Sequence, residues 1–351
     1  MNPVFFRHFE SKSQSGDASN SPFCRVLDEQ QIPYKIFFGG FTLSYSRRIW
    51  LVLFGWPKLF LFAFFRTLYC LLFRRQTDIY VAWTHLEILP AILINKILLR
   101  KKIKIVLVGF IYTRRQNNWK QRLRYTYFHW LLKYVDKAIV HTKLEAYDYR
   151  QLFGFWDKKF VYHPFGTHVN LIPNNYDGES YLFSAGRSGR DYPLLLSAIE
   201  NLPYKLRIAT DAFYPESTPE NVELLHSCYG GDYLRQLTDC VMTVIPLSQR
   251  WISSGQMVLL ESMAMGKPVI ITANESTVEY VSHDYDAWLV PIYDVNAFRD
   301  AIDYLMNHPE IRERIGAQAQ QSFREKYSME AATKRLCQLL KQIDNSTETE
   351  K

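Results

Sequence analysis

The chain has 351 residues, long for a single core and suited to two domains of ordinary size, and with 48% hydrophobic and 15% aromatic residues burial is ample. Its formal charge of +7 hides a division: residues 1–172 hold 26 basic against 10 acidic side chains and the remainder 16 against 25, so the first half suits an anionic membrane, nucleic acid or a phosphorylated substrate. Five cysteines, odd in number, scattered and without a C-x-x-C pair, argue against a disulfide framework and against a zinc site.

The opening MNPVFFRHFE has neither the charged head nor the apolar run of a signal peptide, so the expected location is the cytoplasm, peripheral on the inner face of the membrane. Residues 4–9 read as a strand, 10–21 as a polar loop, 22–31 as a helix and 34–38 as a second strand. This βαβ opening puts its first loop at the carboxyl end of a sheet, where doubly wound folds hold ligands. Residues 47–75 are the most apolar and aromatic stretch. Lys58 and Arg66 interrupt it and Gly55-Trp56-Pro57 breaks it, so it does not span a bilayer. Aromatics bordered by Arg47, Arg48, Arg74 and Arg75 suit a segment lying among lipid headgroups, the alternative being a helix buried against the sheet.

A strand over 78–83, a helix over 89–99 and a strand over 103–108 continue a parallel sheet. His85 follows the first of these strands and could reach a cleft at its end, although a lone loop histidine is more often a packing residue. Residues 114–143 are again basic and aromatic, facing lipid, an anionic acceptor or plain solvent. A strand over 138–141 precedes Thr142-Lys143-Leu144-Glu145, which opens a helix in capping-box form. Residues 172–180 form a polar linker.

In the second half a buried strand over 181–185 runs directly into Gly186-Arg187-Ser188-Gly189-Arg190 before a helix over 193–200. The glycines allow a tight turn, and the two arginines offer bidentate donors to phosphate unless the loop is merely exposed and basic. Strands follow over 206–210, 222–225 and 241–247. Residues 256–265 then form a short helix that is apolar nearly all round, started by Ser253-Ser254-Gly255 and stopped by Gly266. Its first turn leaves N–H groups for an anion, and its lone carboxylate, Glu261, needs a partner. Beyond a strand over 268–271 come helices over 276–282, 295–307 and 309–327, a strand over 288–290, and a final helix over 328–343 with a frayed tail over 344–351. The triplet Asp284-Tyr285-Asp286 sits in a surface turn and is discounted as a metal site.

The run G-x-x-x-L-L-E-S-M-A-M-G-K-P-V-I resembles the donor-site signature of family 4 GT-B glycosyltransferases, the group 1 retaining enzymes, and the resemblance extends over 181–327. It implies an α/β GT-B fold: two doubly wound, Rossmann-like domains facing a central cleft. Residues 1–172 would bind the acceptor, 173–327 the donor, and 328–343 would cross back. It further implies that Gly186, Arg187 and Arg190 grip the donor diphosphate with Ser254, Gly255 and Gln256, that Glu261 meets the nucleotide, and that the 226–229 loop with Tyr229 accommodates the base. Family members commonly carry two glutamates with seven residues between them, and the first falls here at Ser253. They often place a histidine after the strand matching 103–108, where this chain has Gly109, leaving His85 as the nearest candidate. The implied reaction moves a sugar from a nucleoside-diphosphate sugar to a glycan or lipid-linked acceptor at an anionic membrane surface, with no cofactor and no metal. A non-catalytic GT-B nucleotide-binding protein and a DNA-modifying transferase are the alternatives; nucleic acid is the less favoured partner.

Overall fold

Short apolar runs separated by polar turns, each followed by a helical stretch, fold into two parallel sheets. The computed structural model describes residues 1–7, 21–38, 56–73, 77–112, 118–156, 159–169, 180–248 and 254–348. The chain divides into two units, residues 1–163 with 333–351, and residues 164–332.

In the first unit the strands are β1 (Pro3–Arg7), β2 (Lys35–Phe38), β3 (Ile79–Ala82), β4 (Lys104–Leu107), β5 (Lys137–Val140) and β6 (Phe160–Tyr162), in the order β2-β1-β3-β4-β5-β6. The helices are α1 (Pro22–Glu29), α2 (Trp56–Phe73), α3 (His85–Ala91), α4 (Trp119–Tyr134) and α5 (Lys143–Phe153). The 89–99 helix begins earlier than its apolar pattern suggests. Thr84 caps it, accepting from Glu87 N while the Glu87 carboxylate reaches back, and Pro90 falls inside the first turns, after which the chain widens into a π turn over Ile92–Leu98. The core is aromatic: Phe110 meets Phe128, Tyr149, Phe153 and Phe160 at centroid distances between 5.2 and 6.0 Å.

In the second unit the strands are β7 (Tyr181–Ala185), β8 (Lys205–Ala209), β9 (Val222–Leu225), β10 (Met242–Ile245), β11 (Val269–Thr272) and β12 (Trp288–Val290), ordered β12-β11-β10-β7-β8-β9. The helices are α6 (Tyr192–Ile199), α7 (Gly230–Asp239), α8 (Gln256–Ala264), α9 (Val295–Asn307) and α10 (Pro309–Ser322); α11 (Met329–Glu348) begins in this unit and from residue 333 onward belongs to the first. Strands β7, β10 and β11 are buried along their whole length, as befits a parallel sheet covered on both faces.

Two expectations need correction, and one helix is unexpected. The 276–282 stretch holds only a 3-10 turn, Thr277–Glu279, because Asn274 and Thr277 side chains satisfy the local backbone in its place. α11 runs unbroken to Glu348 through residues expected to fray. The helix over residues 230–239 has no counterpart in the sequence reading.

Candidate active site

Both sheets have a point where the strand order reverses, and in open α/β sheets the crevice for ligands lies there, at the carboxyl ends. In the second unit the reversal falls between β7 and β10. The two loops leaving these strands are 186–191 and the segment from Pro246 onward, and they are laced together. Asp191 N donates to Pro246 O at 3.1 Å, Ser248 N donates to Gly189 O at 3.0 Å, and Arg190 and Leu247 form an isolated antiparallel bridge.

Gly186 holds φ +116°, and a Cβ there would drive into the Arg190 guanidinium. Its carbonyl accepts from Tyr192 Oη at 2.6 Å and Thr210 Oγ1 at 2.9 Å, two residues that the sequence reading does not single out. Arg190 Nε donates to Ala185 O at 2.8 Å and Arg190 Nη1 to Ser188 O at 3.0 Å, and burial pulls its pKa below the ordinary value. This arginine therefore shapes the loop from beneath. Arg187 is exposed and makes no hydrogen bond or ion pair with a described residue, so of the two it is the one available to an incoming anion.

Gly255, at φ +85°, turns the chain into α8, and no side chain caps the first turn of that helix. Ser254, only 8% exposed, does not serve as the cap that its position suggests. Its Oγ lies 2.8 Å from where a Cβ on Gly189 would sit, and it has no hydrogen-bond partner; the buried Gln256 Nε2 has none either. The start of α8 thus holds two buried polar atoms unpaired, one of which, Ser254 Oγ, lies against the glycine loop. Such groups cost free energy until something bonds to them. Ser253 lies outside the described residues.

Along α8 from that turn, Glu261 is half-buried and accepts from Tyr233 Oη at 2.6 Å. Burial raises the Glu261 pKa, the Tyr233 hydrogen bond opposing it; burial and the nearby carboxylate push the Tyr233 phenol above its ordinary value. Tyr233 belongs to α7, whose residue before the first turn is the exposed Tyr229. In the adjoining 226–229 loop His226 stacks on Tyr214 at 4.7 Å, and its Nδ1 lies 2.7 Å from Thr210 O. Asp284 pairs with Arg314, and Asp286 accepts from Ser282 N at 2.7 Å, so both carboxylates of the triplet are engaged. Among the described residues no group of three or more His, Cys, Asp or Glu side chains is placed to hold a metal.

In the first unit the order reverses between β1 and β3, and His85 follows β3. Its ring lies edge-on to Tyr127 and Phe128, 5.6 and 5.1 Å away, and burial, aided by Arg124, lowers its pKa to about 4. It is neutral at pH 7 and packed among aromatic rings. The space where a side chain on Gly109 would begin is taken by His141, whose Nε2 is 3.2 Å from it and whose Nδ1 lies 3.0 Å from His163 O.

Residues 216–322 match the family described as Glycosyl transferases group 1. The chain carries a glycosyl transferases group 1 domain. That match includes Tyr233, the 254–256 turn and Glu261, while the glycine loop precedes it. Among solved structures the chain is similar to sucrose-phosphate synthase of Thermosynechococcus elongatus, with 15% identity, 99% of this chain and 100% of that one covered, and a TM-score of 0.70. It is also similar to a glycosyltransferase of Rickettsia africae (12% identity, 97% and 98% covered, TM-score 0.63) and to Anabaena HepE in complex with UDP-glucose (12%, 97% and 100%, TM-score 0.65). At such identities the likeness is one of fold, and the fold is GT-B. No curated protein matches the chain.

Proposed function

We propose that the protein is a retaining glycosyltransferase that moves a sugar from a nucleoside-diphosphate sugar to a glycan or lipid-linked acceptor at the cytoplasmic face of a membrane. The observation that carries the donor half of this reading is the uncapped first turn of α8, where Ser254 Oγ, against the glycine loop, and Gln256 Nε2 are buried and unpaired. As the sugar departs and becomes oxocarbenium-like, negative charge builds on the diphosphate. Helix-end N–H groups, the Ser254 hydroxyl and the exposed Arg187 would stabilise it there. Glu261 would take the ribose hydroxyls, held in place by Tyr233. The structural likeness to HepE, whose structure holds UDP-glucose, makes uridine nucleotides the first donors to try.

The test is a thermal-shift screen of nucleoside diphosphates and their sugars, followed by turnover with any binder. A ligand at 100 times its dissociation constant raises stability by about 2.7 kcal/mol. No shift with any nucleoside diphosphate would remove the donor reading.

A further inference from the structure

α2 is built inside out. Its inward positions are Leu59, Ala63, Thr67 and Cys70, mostly small, while Leu61, Phe62, Phe65, Tyr69, Leu72 and Phe73 recur at helical spacing on the exposed side. Phe65 is 62% exposed and Phe73 72%. A helix at a water-facing position ordinarily carries polar residues there, and apolar patches of this kind mark an interaction surface. α2 packs against α3. Both helices join parallel strands, so both run counter to the strands and end at the amino edge of the sheet. There α2 ends in Leu72 and Phe73, and the π turn after α3 ends in the exposed Ile97, Leu98 and Leu99, followed at once by Arg100, Lys101 and Lys102, all exposed. Neither 56–73 nor 92–102 contains an acidic residue.

We infer that this two-helix face docks on an anionic lipid bilayer, lying in the headgroup region with the basic run against the lipid phosphates. The inference deepens the membrane half of the proposed function and rests on that reading. A second copy of the chain is the less favourable occupant, because a symmetric contact would bring two basic rims together. Among the described residues no helix is long and apolar enough to cross a membrane, so the contact is parallel to the surface. Its apolar side chains supply burial, and each basic residue near such a surface adds attraction that salt weakens. The arginines at 47, 48, 74 and 75 lie outside the described residues and are not needed for it.

The test uses the whole chain and vesicles of phosphatidylglycerol mixed with phosphatidylcholine, against phosphatidylcholine alone. The expected result is co-sedimentation with the anionic vesicles that weakens as salt rises. A variant combining Leu61→Gln, Phe65→Gln and Phe73→Gln should lower the partition coefficient at least tenfold, because about three apolar side chains no longer leave water. Since all three are exposed, thermal unfolding and nucleoside-diphosphate binding should stay as in the wild type. Replacing Lys58, Arg100, Lys101 and Lys102 by Gln should flatten the salt dependence. Wild-type protein that ignores anionic vesicles at low salt, or a triple variant that binds them as well as wild type, overturns the inference. So does a triple variant whose only change is from dimer to monomer. Any of these outcomes with nucleotide binding intact leaves the donor reading standing, and vesicle binding without nucleotide binding does the reverse.

Discussion

Tyr233→Phe is the sharpest probe of α8, since it deletes one hydroxyl and leaves the ring in place. The hydroxyl is 2.6 Å from Glu261 Oε2. A hydrogen bond to a charged group contributes about 1.5–3 kcal/mol, against roughly half that between neutral groups, so the loss should be larger while Glu261 is ionised. Burial raises the folded-state pKa of Glu261 above the ordinary 4.5, and Tyr233 pulls it back. Between 4.5 and the folded value the folded chain holds more protons than the unfolded one, so this group's contribution to stability falls as pH rises. Removing the hydroxyl lifts the folded value further and widens that window. Denaturant titrations of wild type and variant across a pH series should therefore show the smallest deficit near pH 4 and the largest at neutral pH. In the same series Glu261→Gln added to Tyr233→Phe should cost less than the two single losses together, since the residues share one bond. A deficit that does not change with pH, or strict additivity, would refute the coupling.

Arg187→Ala should leave stability within about 0.5 kcal/mol while weakening nucleoside-diphosphate binding by calorimetry. Arg190→Ala should instead cost about 1–3 kcal/mol in denaturation, because Ala185 O and Ser188 O lose their donor; the opposite assignment of effects would reverse the roles given to the pair. Gly189→Ala places a Cβ 2.8 Å from Ser254 Oγ at a backbone φ of +66°, and should reduce affinity for inorganic pyrophosphate as much as for a nucleoside diphosphate. His85, neutral until about pH 4 when folded, binds fewer protons than in the unfolded chain between that value and 6.5, so it lowers stability as pH falls through this range. His85→Gln should remove that part of the acid sensitivity in thermal unfolding followed against pH.

The glycine loop and α8 are legible as elements because their signals are local: a buried strand running into Gly186-Arg187, and an apolar helix with one carboxylate. What is not legible depends on residues distant in sequence. Nothing near Glu261 announces Tyr233, whose helix starts on two glycines, poor helix formers that mask the pattern. Arg187 and Arg190 look equivalent as a pair, yet one folds back on carbonyls two and five residues away and the other does not. His85 reads as a loop residue until Tyr127 and Phe128 close around it. In α2 the apolar residues surround the helix, so periodicity cannot say which side the sheet takes; only the packing shows that the small residues went inward.

The lacing of the 186–191 loop to Pro246 and Ser248 joins residues more than fifty positions apart, with β8, β9 and α7 between them. Closing such a span costs chain entropy before any contact rewards it. The surface formed by the two laced loops cannot exist until β10 has taken its place beside β7, whereas the α6 and α7 helices can form from local contacts. On dilution from denaturant, far-ultraviolet ellipticity should return ahead of nucleotide binding, and a ligand added during refolding should find the site only in the slower phase.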